Sequence, residues 1–452
     1  MESTQTNTHP RALLFSVRTP KMTDAEATES MTELERLVTT LGYEVAGTMS
    51  QRQPSTKGIA VVGEGKLMEI AQLTAGKGSR DRVQGDPDAP QTPRSGISPL
   101  SGTQQAPVPA VTPEGPATVV IFDCELSPSQ IRNVETAVGV PVLDRTGVII
   151  EIFNRHAKTR AARLQVDIAR QTYQAPRLRD TGVGKGHQSG KGTGETVIET
   201  EKRKVRDRLA ELRQELEAVQ REEEHRRMKR AELLGVALVG YTNAGKSSLM
   251  RALTGSEVLV EDKLFATLDT TVRALQPETQ PRILITDTVG FIHKLPHDLV
   301  ASFRSTLEEA RGASLLLYVV DAADRNFRSQ LAVVREVLGD IGADTIPHLL
   351  ILNKADRLSE WQKQVLGAEY PNAVLTSTRS PEDMRVVSER IVQFFEKDMI
   401  EKEILVPYKA QGVMSEMRPN MKILKESFTE EGVRLLVRAR PIDLQRLGKM
   451  MK

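Results

Sequence analysis

Residues 240–247 read Gly240-Tyr241-Thr242-Asn243-Ala244-Gly245-Lys246-Ser247, a G-x-x-x-x-G-K-[ST] pattern that follows the apolar run VALV at 236–239 and opens a helical stretch ending near Gly255. Strand, glycine-rich turn and helix in that order constrain the fold more than any other feature of the chain. The glycines let backbone N–H groups wrap phosphates at a helix N-terminus, Lys246 reaches the β- and γ-oxygens, and the Ser247 hydroxyl ligates Mg2+. Further short apolar runs at 283–286, 315–320, 349–352 and 374–376 alternate with helical stretches. This alternation predicts a doubly wound, mainly parallel α/β sheet around the loop.

Asp287-Thr288-Val289-Gly290 follows the run at 283–286. It places a carboxylate at a strand end, where it can hold Mg2+ through water, and a glycine amide near a γ-phosphate. Asn353-Lys354-Ala355-Asp356 follows the run at 349–352. A carboxylate there accepts both the N1–H and the exocyclic amine of guanine, a donor pair that adenine lacks. Together the three elements keep the order of Ras-like GTPases and select GTP over ATP. Ser377-Thr378-Arg379 follows the run at 374–376, where such GTPases brace guanine with backbone amides.

Between the phosphate loop and Asp287 lies Phe265-Ala266-Thr267-Leu268-Asp269, in which Thr267 is expected to complete the Mg2+ shell. Thr270 and Thr271 are alternatives that spacing does not separate. Such a loop orders with GTP and releases on hydrolysis. The expected reaction is phosphoryl transfer to water, stabilised by Lys246, Asp287 and the Gly290 amide. Phe291 stands where Ras-like enzymes carry the glutamine that orients water, so intrinsic hydrolysis should be slow. Asn243 resembles the residue that seats K+ in several related GTPases; its plainer role is to stabilise the loop.

The 452 residues are enough for about three domains. Residues 1–156 read as an α/β domain, with strands at 12–19, 43–49 and 119–123, helices at 24–41, 67–73 and 127–138, and VLDRTGVIIEIF at 142–153. It is interrupted at 75–116, where 8 of the 23 prolines and six glycines predict a disordered insertion. Residues 157–232 read as a helical hairpin. Its seam is Val205, Leu209, Leu212, Leu216 and Val219, facing an earlier arm at 157–178 across a tip with glycine at 182, 184, 186, 190, 192 and 194. The GTPase domain is expected over 233–399. A small α+β module follows at 400–452, with EILVPY, a short helix near Met414, KILKESFT, a Glu431-Gly432 turn and VRLLVRAR.

The net charge of +2 hides a segregation. Residues 155–230 carry 20 Lys/Arg and 12 Asp/Glu, net +8, which leaves 42 basic and 48 acidic residues, net −6, elsewhere. With Lys185 and Lys191 among the tip glycines, the hairpin suits RNA backbone contact. Gly63-Glu64-Gly65-Lys66 is too short a pattern for a second nucleotide site and reads first as a strand–helix turn. One cysteine, Cys124, rules out a disulfide framework, and the seven histidines lack metal-ligand spacing. Polar MESTQTNTHP at the start carries no readable leader, so the expected location is the cytosol.

GYTNAGKSSL, LFATLDTT, DTVGFIHKLPHDLV and NKAD, with VGEGK (62–66), LSPSQIRN (126–133) and LDRTGVIIEIF, resemble the HflX family of translational GTPases across nearly the whole chain outside 75–116. The resemblance implies a monomer that binds the large (50S) ribosomal subunit, its 23S-type rRNA and proteins, and splits or rescues stalled ribosomes. A ribosome-assembly GTPase would use the same residues; the other alternative is an RNA-remodelling ATPase working through the N-terminal domain, with the Ras-like part as its regulatory switch. At the hairpin tip Lys191 and Thr193 stand where the family usually has arginine and proline.

Overall fold

The structure is a computed structural model that describes residues 10–56, 61–74, 115–177, 197–230, 233–256, 264–265, 271–293, 309–410 and 420–450. Nearly all of the 75–116 insertion, the glycine-rich tip with Lys185 and Lys191, Ala266, Thr267, Leu268, Asp269 and Thr270, and the short helix near Met414 lie outside the described residues. Two compact units divide the chain, one of 1–155 with 170–207 and one of 156–169 with 208–452.

The first unit is a parallel four-stranded sheet in the order β2-β1-β3-β4, formed by β1 (Arg11–Arg18), β2 (Glu44–Arg52), β3 (Val119–Phe122) and β4 (Val142–Asp144). Buried almost throughout, β1 and β3 are the central strands, and their Phe15 and Phe122 rings meet at 5.1 Å. Helix α1 (Asp24–Thr40) starts at a capping box in which the Thr23 hydroxyl accepts the Glu26 N–H and the Glu26 carboxylate accepts the Thr23 N–H. It buries Leu34, Leu37 and Val38. Helix α2 (Glu64–Leu73) begins directly after its N-cap Gly63, whose N–H donates to Gln51 Oε1 at 3.1 Å, so Glu64, Gly65 and Lys66 form the first helical turn rather than a strand–helix turn. Helix α3 (Pro128–Val138) has a second capping box, Ser127 with Gln130, and stops at Gly139 with φ of +73°.

The stretch 142–153 turns out mostly helical. After three strand residues it continues as α4 (Arg145–His156), because Val148, Ile149, Ile152 and Phe153 bury one helical face. Arg145, 2% exposed, pairs there with Asp123 at 2.8 Å and with Glu33. Asp144, the last residue of β4, accepts from four donors: Gly147 N–H at 2.8 Å, Leu126 N–H at 3.1 Å, the Tyr173 hydroxyl at 2.6 Å and Arg177 Nη2 at 3.1 Å. Burial and the neighbouring Asp144 carboxylate push the Tyr173 phenol well above its ordinary pKa.

In the hairpin region α5 (Arg160–Gln174) and α6 (Val197–Arg230) are both formed. Leu164 and Ile168 pack on Leu212, with Leu209, Leu216 and Val219 alongside, so four of the five expected seam residues make a common core. Arg160 pairs with Glu215 at 3.4 Å.

The second unit is built on a six-stranded sheet in the order β10-β9-β8-β5-β7-β6. Its strands are β5 (Leu234–Gly240), β6 (Thr271–Ala274), β7 (Ile283–Asp287), β8 (Leu315–Asp321), β9 (His348–Asn353) and β10 (Val374–Leu375). All neighbours are parallel except the β6–β7 pair, in which Thr271 stands opposite Asp287. This is a Ras-like sheet. Its order reverses beside β5, so the carboxyl ends of β5, β7 and β8 enclose the crevice where an open α/β sheet takes its ligand. Helices α7 (Lys246–Thr254), α8 (Phe327–Asp340), α9 (Glu360–Glu369) and α10 (Pro381–Glu396) complete the domain. Leu249, Met250 and Leu253 of α7 and Val387, Ile391 and Phe395 of α10 share one core with the sheet. Trp361, on α9, is 70% exposed.

A third, antiparallel sheet, β11-β13-β12, comprises β11 (Ile400–Pro407), β12 (Met421–Thr429) and β13 (Gly432–Ala439). The sequence reading stopped at β13, but a last helix, α11 (Pro441–Met450), lays Leu444 and Leu447 on this sheet.

Candidate active site

The phosphate loop leaves β5 where only glycine fits: a Cβ on Gly240 would lie 2.1 Å from the Val319 carbonyl oxygen of β8. Asn243 takes φ of +59°, a left-handed conformation that asparagine tolerates. Gly245, at φ of +95°, caps α7 without any side-chain bond, and a helix start of this kind, with its backbone N–H groups and positive dipole end, favours an anion. Lys246 is buried, and its Nζ donates to the carbonyls of Gly240 at 3.1 Å and Tyr241 at 2.9 Å. Burial lowers its pKa to about 8, against the pull of Asp287. An ammonium held on backbone carbonyls in a dry site is an anion receptor, with phosphate oxygens as its natural partners.

Next to it the Ser247 hydroxyl donates to Asp287 Oδ2 at 2.8 Å. Asp287, wholly buried, ends β7. Thr288 is anchored by its hydroxyl on the Leu238 carbonyl at 2.7 Å, and Val289 is buried. Gly290 then passes so close to the phosphate loop that a Cβ would meet Thr242 Cγ2 at 2.8 Å and Lys246 Nζ at 3.0 Å. Lys246, Ser247, Asp287 and Gly290 therefore converge on one place. Phe265 is buried, with φ of +57°.

The other end of the site is assembled at the carboxyl ends of β9 and β10. Asn353, 1% exposed, donates its Nδ2 to the Ala244 carbonyl at 2.9 Å. Lys354, at φ of +61°, reaches Asn243 O at 2.8 Å and Asp321 at 2.7 Å. The Ala355 N–H donates to Thr376 O at 3.1 Å. Asp356 accepts the Ser377 hydroxyl at 2.7 Å and lies 3.5 Å from Arg379. The Ser377 bond, helped by Arg379 and Arg357, holds its carboxyl below the usual value, so it stays an acceptor. The Ser377 N–H is itself held by Asp383 at 2.7 Å, and the Arg379 N–H donates to Ser377 Oγ at 3.3 Å. Thr378 joins the two.

Comparison with known proteins agrees with this geometry. Residues 235–354 match the family described as 50S ribosome-binding GTPase, 156–230 the GTP-binding GTPase middle region, and 28–83 with 103–154 the GTP-binding GTPase N-terminal family. The GTPase HflX of Gluconacetobacter diazotrophicus is 52% identical over 444 residues, covering 98% of both chains. The chain belongs to the HflX GTPase family. The HflX of Escherichia coli is 35% identical over 93% of this chain and 92% of its own length. Among solved structures, a GTP-binding protein from Sulfolobus solfataricus in complex with GDP is similar at 22% identity and a TM-score of 0.42, covering 85% of this chain and 98% of that one.

As an HflX-family GTPase the chain hydrolyses GTP. The sequence motifs missed several residues of the site: Asp321, which pairs with Lys354; Asp383, which positions Ser377; and His293, whose N–H donates to the Tyr241 hydroxyl at 2.6 Å. Asp321 was legible as the polar residue ending an apolar strand. The other two depend on contacts the linear pattern does not carry. Among the described residues no group of three or more His, Cys, Asp or Glu side chains is placed to hold a metal ion, and no helix is long and apolar enough to cross a membrane.

Proposed function

We propose that this HflX-family GTPase binds the large (50S) ribosomal subunit in its GTP state, splits or rescues stalled ribosomes under stress, and is reset by hydrolysis. On this reading it is a cytoplasmic monomer. The observation that carries the reading is the concentration of charge on the hairpin, +8 over 155–230 against −6 elsewhere, in a chain whose nucleotide domain matches the 50S ribosome-binding GTPase family. A basic arm on a mildly acidic body orients a protein toward RNA by one end.

For the chemistry we assign Mg2+ to Ser247, with Thr267 as the GTP-dependent second ligand and Asp287 holding it through water. The hydroxyl and carboxylate at 2.8 Å form the hard oxygen donor set this ion takes. Bound there, Mg2+ would neutralise charge on the β- and γ-phosphates. Lys246 and the Gly290 amide hold the γ-phosphate, the loop 240–247 wraps the others, and Asn353, Lys354, Ala355 and Asp356 with Ser377, Thr378 and Arg379 take the guanine. Phe265, Ala266, Thr267, Leu268 and Asp269 form the switch that senses the γ-phosphate. Potassium at Asn243 would add positive charge beside the transferring group.

Sedimentation of the protein with intact ribosomes under GTP, GDP and a non-hydrolysable analogue tests the proposal. Release of free subunits with GTP or the analogue, but not GDP, is the expected result. Binding confined to immature subunits would instead make it an assembly factor.

A further inference from the structure

Because Phe291 cannot orient water, the segment after Asp287 contributes to hydrolysis through its backbone, and what fixes that backbone matters. The structure fixes it on the phosphate loop. Tyr241 and Phe291 form a parallel bridge, with the Thr242 N–H donating to Phe291 O at 2.8 Å and the Phe291 N–H donating to Gly240 O at 3.1 Å. The Phe291 side chain is buried, which makes the bridge part of the core.

Two residues further on the Tyr241 hydroxyl accepts the His293 N–H at 2.6 Å, and the two rings lie edge to face at 6.4 Å. The His293 ring continues the chain of contacts, its Nε2 lying 3.1 Å from Ser329 Oγ on α8. Meanwhile the Tyr241 carbonyl receives Lys246 Nζ at 2.9 Å. Tyr241 thus receives the phosphate-binding lysine on its carbonyl, is bridged to residue 291 by the backbone of its neighbours Gly240 and Thr242, and accepts from residue 293 on its hydroxyl. Gly290 directly precedes the two anchored residues.

We propose that Tyr241 is a positioning residue for GTP hydrolysis: its side chain, with Ser329 behind His293, sets the course of residues 290–293 and so the placement of the Gly290 amide against Lys246. The phosphate-loop pattern requires no particular residue at 241, and the hydroxyl takes its 2.6 Å hydrogen bond from the segment after Asp287. The side chain therefore acts on the chemical step, while the backbone at the same position serves nucleotide binding.

The test is Tyr241→Phe, which removes one oxygen and keeps the ring, together with Ser329→Ala, both in the full chain. Single-turnover GTP hydrolysis gives kcat, and fluorescent GDP gives affinity. Loss of one such hydrogen bond should lower kcat about five- to tenfold in Tyr241→Phe, and less but in the same direction in Ser329→Ala, with GDP affinity unchanged. Wild-type kcat in Tyr241→Phe would overturn the assignment. So would a fall in kcat matched by an equal fall in GDP affinity, which would mark the hydroxyl as structural.

Discussion

The side-chain amide of Asn353 and the carbonyl of Ala244 meet at 2.9 Å across 109 residues of sequence, and a Cβ on Gly245 would come within 2.2 Å of the same amide nitrogen. The end of the site proposed to take guanine and the end proposed to take phosphate are therefore joined directly. Asn353→Ala should strand a buried carbonyl and loosen both ends, weakening GDP binding about tenfold to a hundredfold. Titration with GDP and with inorganic pyrophosphate checks this: a variant that loses GDP affinity but keeps all of its pyrophosphate affinity would show that the ends are not coupled.

Asp356 should decide the base. Asp356→Asn cannot accept two guanine donors, so GTP affinity should fall about a hundredfold or more while binding of xanthosine triphosphate improves. The pH dependence follows from Ser377. The folded carboxyl sits below its ordinary value of 3.8, so its contribution is present above that pH and is lost only as pH falls through the depressed value. GDP binding should stay flat from pH 7 down to about 5. Ser377→Ala should move the acid limb upward, and an unshifted limb would show that the hydroxyl does not set the titration.

Gly290→Ala places a methyl 3.0 Å from Lys246 Nζ and 2.9 Å from Thr242 Cα. On the proposed assignment the space it fills lies beside the γ-phosphate, so turnover should fall about a hundredfold while GDP binding changes little. Parallel measurement of kcat and GDP affinity separates this from general disruption of the loop.

If potassium acts at Asn243, turnover in KCl should exceed that in NaCl. Asn243→Gly keeps the left-handed backbone at φ of +59° and removes the side chain, so it should erase the difference while leaving nucleotide binding intact. Equal turnover of the unsubstituted protein in the two salts would dispose of the ion.

Replacing Lys185 and Lys191 by glutamate should weaken ribosome binding and lower its salt slope by about one per lysine, with intrinsic GTP turnover unchanged. Co-sedimentation over a salt series reads both. Binding with an unaltered slope would move the RNA contact off the tip.

Motifs local in sequence were legible, because each phosphate or base contact needs a fixed spacing after a strand: residues 240–247, 287–290 and 353–356 fall at the carboxyl ends of β5, β7 and β9. The contacts that bind these motifs together were not, since Asn353 to Ala244 and His293 to Tyr241 join positions that no periodicity relates. The edge strand β6 escaped because three half-exposed residues and an exposed Arg273 make no apolar run. The last helix did carry a signal, with Pro441 at its first position, Asp443 in its first turn and Leu444 and Leu447 three apart. Thr271 lies in β6 opposite Asp287, and its rivals Thr267 and Thr270 fall outside the described residues.

Asp144 gathers four donors, and the last of them, Arg177, also lies 3.3 Å over the Tyr173 ring. The chain is thus fastened to the end of a parallel strand immediately before residues 178–196 begin. With the Leu126 and Gly147 amides on the same carboxylate, the position of Arg177 is set by the end of the sheet and not by the residues that follow it.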